Sequence, residues 1–213
     1  MPKDIEKIWI FRIVHINNVE YILQKGLFTK NHKEADPNYI DIGDTILIGQ
    51  RNDLEVPINP PGGNLGEYIT FYFGPLSPML LNIKTGYRGI TQRPQSEIVY
   101  ICCKFTAVKQ FCTYWCFTNG HAKNRLTRFF NDEDDLDHVD WHIVGDQYWR
   151  NTDEDPDRIR RKQAEFLIKT HVPVECFGCI VVYNKERQEY VQQLTERLNL
   201  NIKVLVKPEY YYK

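Results

Sequence analysis

The stretch RRKQAEFLIKTHVP, residues 160–173, sets three cations and a glutamine ahead of one glutamate, then follows that glutamate with the apolar run Phe166, Leu167, Ile168. Read by itself it is a strand entering a core, and Glu165 is the solvated carboxylate at its exposed edge. Whether Glu165 is more than that depends on what the rest of the chain supplies.

Outward from this strand the sequence alternates β-rich and helical patterns. WIFRIVH near the N-terminus reads as a strand, and NNVEYILQKG continues as a short helix with Val19, Ile22 and Leu23 on one face and Gly26 as its terminator. YITFYF (68–73), EIVYICC (97–103), CIVVYN (179–184) and NIKVLV (201–206) read as further strands. Ser77-Pro78 is an N-cap followed by proline at the first helical position, opening MLLNIK. KERQEYVQQLTERLNL places Tyr190, Val191, Leu194 and Leu198 on one side of an amphipathic helix. The mixture predicts an α+β fold in one domain spanning residues 1–213, with no internal repeat. Residues 29–66, interrupted by Pro37, Pro57, Pro60, Pro61, Gly62 and Gly63, read as a long polar loop of the kind that is functional or disordered.

Composition narrows the function classes. The 213 residues are 42% apolar and 26% charged, and 27 basic residues against 28 acidic ones leave a formal charge of -1. Such a balance gives no global field for a polyanion, so any nucleic-acid affinity rests on local patches. No run approaches the ~18 apolar residues of a membrane helix and no signal peptide is evident, so a cytoplasmic protein with no membrane contact is expected. The six cysteines sit mostly in apolar or aromatic sequence and read as reduced core thiols.

Several constellations carry chemistry, each beside a plainer reading. His15 and Asn18 stand where a strand hands over to a helix, a place where side chains and free amides converge on ligands; Asn17 or Asn18 equally serves as a helix cap. Arg51 in the long loop suits a phosphate or carboxylate clamp, or is simply solvated. Cys176-x-x-Cys179 has half a zinc-site spacing, yet IVVY after it points to a buried strand. Asp132, Asp134, Asp135, His138 and His142 lie in the acidic run NDEDDLDHVDWH, which suits a metal-dependent nuclease or a solvated loop. Aromatics such as Tyr68, Tyr72, Tyr114, Trp115 and Phe117 suit base or nicotinamide stacking as well as a core. Basic residues cluster in KTGYRGITQR, KNRLTR and RIRRK, the pattern of a few separate phosphate contacts, and a non-catalytic single-strand binder would use the same features.

Taken in order, RIVHINNVEYILQKGL, GQRNDLEVPINPPGG, EYITFYFGPLSPMLL, FTNGHAKNRLTRFF and RKQAEFLI resemble the DarT family, DNA ADP-ribosyltransferase toxins of the DarT–DarG toxin-antitoxin systems. The resemblance spans nearly the whole chain. It implies an ADP-ribosyltransferase-like pair of β-sheets flanked by helices, with NAD in the cleft as co-substrate, no metal, and single-stranded DNA as acceptor. It further implies a DarG-type macrodomain antitoxin as partner. Carried onto this sequence, the family's catalytic glutamate falls on Glu165 and its catalytic arginine on Arg51. NAD-binding positions fall on Arg12, His15, Asn18, Tyr72 and Arg51, and the segment from about 115 to Glu165 becomes the substrate-recognition loop. Lys123, Arg125, Arg128, Arg160 and Arg161 are the cations expected to meet DNA phosphates, those ahead of Glu165 being free to do so. The sequence departs from the family where Arg12 stands in place of a frequent histidine and Leu76 in place of a frequent arginine, positions that bear on NAD phosphates and on the approach of DNA.

Overall fold

The computed structural model describes residues 4–213, in which ten strands form an eight-stranded mixed sheet and a two-stranded ribbon. The strands are β1 (Trp9–His15), β2 (Leu27–Phe28), β3 (Tyr68–Tyr72), β4 (Ile98–Lys104), β5 (Trp115–Thr118), β6 (Phe129–Phe130), β7 (Glu165–Lys169), β8 (His171–Val172), β9 (Phe177–Val182) and β10 (Lys203–Val206). The helices are α1 (Val19–Lys25), α2 (Thr45–Arg51), α3 (Pro78–Thr85), α4 (Phe105–Phe111), α5 (Trp141–Gly145), α6 (Arg158–Lys162) and α7 (Lys185–Arg197). Across the large sheet the order is β10-β9-β4-β1-β3-β7-β5-β6, while β2 pairs with β8.

The continuous apolar run of β4 is buried from Ile98 to Cys103 between β1 and β9, as a strand covered on both faces must be. Only β9 and β10 are parallel neighbours, and the amphipathic α7 supplies the crossover, burying Val191 and Leu194. Elsewhere pairing is antiparallel. β1 pairs with β4 along its whole length, Trp9 opposite Lys104 through His15 opposite Ile98, but meets β3 at a single rung, Phe11 opposite Tyr72. The fold is the expected α+β one, its sheet split by a seam between β1 and β3 that lies within one eight-stranded order.

Side-chain alternation places the cleft at that seam. On one face Ile10, Val14, Val99, Ile101, Phe71, Phe166 and Ile168 belong to one unbroken core, joined by buried residues of α1, α4 and α7. The opposite face carries two separate clusters, one around Tyr100, Phe11, Leu80 and Ile83, the other around Leu167, Tyr68, Cys116 and Leu65. Between them, Thr70, Tyr72 and Glu165 occupy register positions that a continuous core would fill with apolar side chains.

Three segments differ from the sequence reading. The long polar stretch contains α2, whose N-cap Asp44 accepts hydrogen bonds from the amides of Ile46 and Leu47 at 2.9 and 3.0 Å. WCFT, whose aromatics suit stacking as well as a core, is the strand β5 beside β7. The C-terminal Tyr210-Tyr211-Tyr212 packs on the sheet and α3. There the Tyr211 hydroxyl lies 2.9 Å from the Ile98 carbonyl, and the Tyr212 hydroxyl contacts the carbonyl of Leu76. Leu76 itself adopts a left-handed φ of 57°, uncommon for a branched side chain.

Candidate active site at the seam

Glu165, the first residue of β7, lies on the wall of a cleft of about 480 Å³, a size within the ~300–1,000 Å³ of small-molecule sites. It is 1% exposed, so it is no solvated edge residue. One carboxylate oxygen accepts from the Arg51 guanidinium at 2.9 Å and the other from the Ala122 amide at 2.9 Å. Arg51 also donates to the Thr70 hydroxyl at 2.9 Å. Arg51 closes α2, Thr70 lies on β3 and Ala122 follows β5, so three elements far apart in sequence fix one carboxylate. An ion pair this buried is costly to desolvate and survives because both partners hold further hydrogen bonds. Each Glu165 oxygen keeps acceptor capacity for a ligand hydroxyl. The Glu165 amide donates to the Thr118 hydroxyl at 3.0 Å, and that hydroxyl lies 2.6 Å from the Gly120 carbonyl, which fixes the strand start itself.

Arg12 spans the seam, donating to the Thr70 carbonyl at 2.9 Å, while its buried Nε has no partner among the described residues. Tyr72 lines the cleft opposite Glu165 in register. Burial, with the nearby Glu165 charge, pushes its phenol pKa upward, so it faces the cleft as a neutral hydroxyl. His15 and Asn18 do not line the cleft. His15 Nδ1 accepts from the Asn17 amide at 3.2 Å and Nε2 faces Glu97 at 3.4 Å, an arrangement of the neutral Nε2–H tautomer. Burial, with help from Arg93, lowers its pKa. Asn18 uses its side chain for no cap. It clasps both the carbonyl and the amide of Ile40, at 3.0 and 2.9 Å, and so holds the cleft-lining segment Tyr39–Asp44 against α1.

The five cations expected on DNA fall into two groups. Arg125 is exposed and makes no ion pair among the described residues, Arg128 lies over the Phe130 ring at 5.2 Å, and Lys123 contacts Gln50 of α2. Arg160 and Arg161, by contrast, are not free. Arg160 grips Asp157 with two nitrogens, at 2.8 and 2.6 Å, and Arg161 pairs with Asp140 and Asp155. Lys162, 3% exposed, donates to the carbonyls of Pro75, Val144 and Asp146 at 3.1, 2.8 and 2.8 Å, and burial pulls its pKa down to about 8. The basic run that looked like a phosphate contact is an internal clasp for its acidic neighbours.

The acidic run holds itself and the fold together. Asp132 caps a 3-10 turn, Asp140 caps α5, and Asp135 pairs with His138 at 3.6 Å. Cys176 meets Cys112 at 3.7 Å while Cys179 meets Cys102, so the CxxC pair does not converge. Among the described residues no group of three or more His, Cys, Asp and Glu side chains is placed to share a metal. Sequence reading missed Thr70, Thr118, His121 and Ala122, although FTNGHA carries an Asn-Gly turn after an aromatic strand. Nothing in the identity of Ala122 marks it as a main-chain donor.

The model of a family described as DarT, ssDNA thymidine ADP-ribosyltransferase, matches residues 11–212. A DNA ADP-ribosyl transferase of Escherichia coli O127:H6 is 36% identical over 207 residues, covering 97% of this chain and 94% of that protein. Thermus sp. 2.9 DarT in complex with ADP-ribosylated ssDNA has a TM-score of 0.88 at 30% identity over 97% of both chains. The same protein in complex with NAD+ has a TM-score of 0.84 at 30% identity over 97% of this chain and 98% of its own. A Thermosipho africanus DNA ADP-ribosyl transferase-DNA ADP-ribosyl glycohydrolase fusion protein is 25% identical over 95% of this chain and 49% of that one. On matches that run nearly end to end, the chain belongs to the DarT family.

Proposed function

We propose that this chain, acting as one domain, transfers ADP-ribose from NAD to a thymine base of single-stranded DNA, with Glu165 and Arg51 at the reacting centre. The observation that carries the reading is the buried 2.9 Å Arg51–Glu165 pair on the wall of the seam cleft. Breaking the nicotinamide–ribose bond builds positive charge on the ribose. A carboxylate accepting from the ribose 2′-OH stabilises that charge more in the transition state than in the ground state, and Glu165 has the acceptor capacity for it. The new bond forms from the thymine ring nitrogen to the ribose C1, nicotinamide departs, and the ring N–H proton is lost. Arg51 stabilises the negative charge that develops on the base as this proton leaves. Tyr72 and Arg12 are assigned to the NAD side of the cleft, and Asn18 acts through the segment it clasps. Base pairing hides the reacting edge of thymine, which makes an unpaired strand the substrate.

Lys123, Arg125 and Arg128 are assigned to phosphates, being cations on the loop beside α2 with no carboxylate partner among the described residues. The fused glycohydrolase of the Thermosipho relative supports a toxin role opposed by a DarG-type macrodomain antitoxin, in the cytoplasm where the DNA lies. Among the described residues no helix is long and apolar enough to cross a membrane. The test mixes the protein with labelled NAD and oligonucleotides. A thymine-containing single strand acquires label and mass on the base, annealing the complement suppresses the reaction, and replacing thymine by cytosine abolishes it. Equal modification of duplex, or label on a strand terminus, overturns the acceptor assignment.

A further inference from the structure

Arg160 lies five residues before Glu165 and is committed on every side. Beyond its two bonds to Asp157, its remaining nitrogen donates to the carbonyl and side-chain oxygen of Asn119, both at 3.3 Å, and to the Thr127 hydroxyl at 3.4 Å. Its own carbonyl accepts from the His121 amide at 3.0 Å. These partners lie near the two ends of the loop between β5 and β6, closed at its base by the Asn119–Arg128 bonds at 2.9 and 3.3 Å. Gly120 lies against the guanidinium so closely that a Cβ there would stand 2.3 Å from it and 2.9 Å from the Arg160 Cγ. The same loop delivers the Ala122 amide to Glu165 at 2.9 Å and places His121 on the cleft wall.

We propose that Arg160 is a positioning residue for the transfer reaction: it sets the 119–128 loop so that the Ala122 amide holds the Glu165 carboxylate in its reactive orientation. The guanidinium is the post around which the loop folds. With its side chain 12% exposed and its N–H groups occupied, it has little left for a phosphate. The inference rests on Glu165 being the carboxylate of the reaction. It adds that loop and carboxylate are set by one group, so a change in the loop is felt at the chemistry.

The test compares Arg160→Met, Arg160→Lys and Gly120→Ala in the full chain, measuring kcat, KM for NAD and for a thymine oligonucleotide, and the salt dependence of oligonucleotide binding. Positioning predicts that all three lose kcat by roughly tenfold or more, with both KM values changed by less than about threefold. The binding slope against log salt stays unchanged. Lysine does not rescue, because the planar fork rather than the charge does the holding. If Arg160→Lys works normally and Arg160→Met lowers the salt slope by about 0.7, Arg160 is a phosphate contact and the inference falls. Gly120→Ala removes no charge, and so decides the matter even if Arg160→Met fails to fold: unchanged kcat in Gly120→Ala overturns the proposal. An inactive Glu165→Gln beside a fully active Gly120→Ala would sink the inference and leave the reaction assignment standing. Full activity in Glu165→Gln would sink that assignment itself.

Discussion

The loop 123–128 and the helix α6 are two short basic runs that flank the same carboxylate and look alike in sequence, KNRLTR and RIRRK. In the first, Arg125 and Arg128 are exposed and have no carboxylate partner among the described residues. In the second, Arg158 pairs with Asp146 at 3.1 Å, Arg160 with Asp157, Arg161 with Asp140 and Asp155, and Lys162 is buried on three carbonyls. The lesson is one of accounting over space. Between the two runs, residues 131–157 are crowded with Asp and Glu and hold Arg150 as their only cation, so whichever basic run packs against them is neutralised. Local composition states how many cations there are, and the fold decides which remain available to a polyanion.

The strongest challenge to this division concerns the committed group at its centre. Glu165→Gln should lower transfer to oligonucleotide at least a hundredfold, about 3 kcal/mol of barrier, because the neutral amide cannot stabilise a cationic ribose. Far-UV circular dichroism should remain that of the native protein. Near-native turnover would show that the buried pair is structural only.

The next contrast sets Lys162→Met against Arg125→Ala. The first leaves the carbonyls of Pro75, Val144 and Asp146 without their donor and should cost about 1–3 kcal/mol, read from denaturant midpoints. The second should stay within about 0.5 kcal/mol of the parent. Equal midpoints for the two variants would erase the distinction between clasp and free cation. A complementary measurement reads binding in place of stability. Arg125→Ala and Arg128→Ala should each flatten the salt dependence of single-strand affinity by about 0.7, with unfolding midpoints unmoved. A slope that survives both changes would place the phosphate path elsewhere.

The smallest effect belongs to His15, a neutral group committed to Asn17 and Glu97. Its folded pKa lies below the ordinary value of 6.5, so as pH falls through that value the unfolded chain takes up a proton that the folded one resists. Stability contributed by His15 is therefore complete above about pH 6.5 and declines on acidification toward its folded pKa. Urea midpoints at pH 7.5 and 5.5 should differ less in His15→Gln than in the parent. Identical differences would assign the acid sensitivity to other groups.

Period and propensity made most of the sheet legible. Runs such as IVYICC and YITFYF sit within a residue of the strands they form, because a strand buried on both faces writes an apolar stretch regardless of its neighbours. The role of Glu165 was not written that way. Its residues alone describe an edge carboxylate, and only the family resemblance singled it out, because the groups that bury it lie at 43 and 114 residues' separation. The helix inside the long loop was signalled by Asp44-Thr45 ahead of the apolar run Ile46, Leu47, Ile48, a cap overshadowed by the prolines that follow. His15 and Asn18 were found as a pair by position. In the structure their side chains cap a turn and clasp Ile40, and neither lines the cleft. The pairing of Arg160 and Arg161 with Asp157 follows the i,i+3 and i,i+4 spacing of a helix turn, whereas that of Arg161 with Asp140 depends on a segment 21 residues away folding back, which no local pattern announces.

The lone rung joining β1 to β3 makes this line the least cross-linked one in the sheet, with Arg12 on one plate and Arg51 and Glu165 held to the other. A dinucleotide lying across it would serve as a splint, fastening two plates that the backbone leaves almost unstitched. Its binding energy then adds directly to the resistance of the whole molecule to unfolding, by RT ln(1 + [L]/Kd). The amides of β1 and β3 that face one another across the seam would be where slowed hydrogen exchange first registers that the splint is in place.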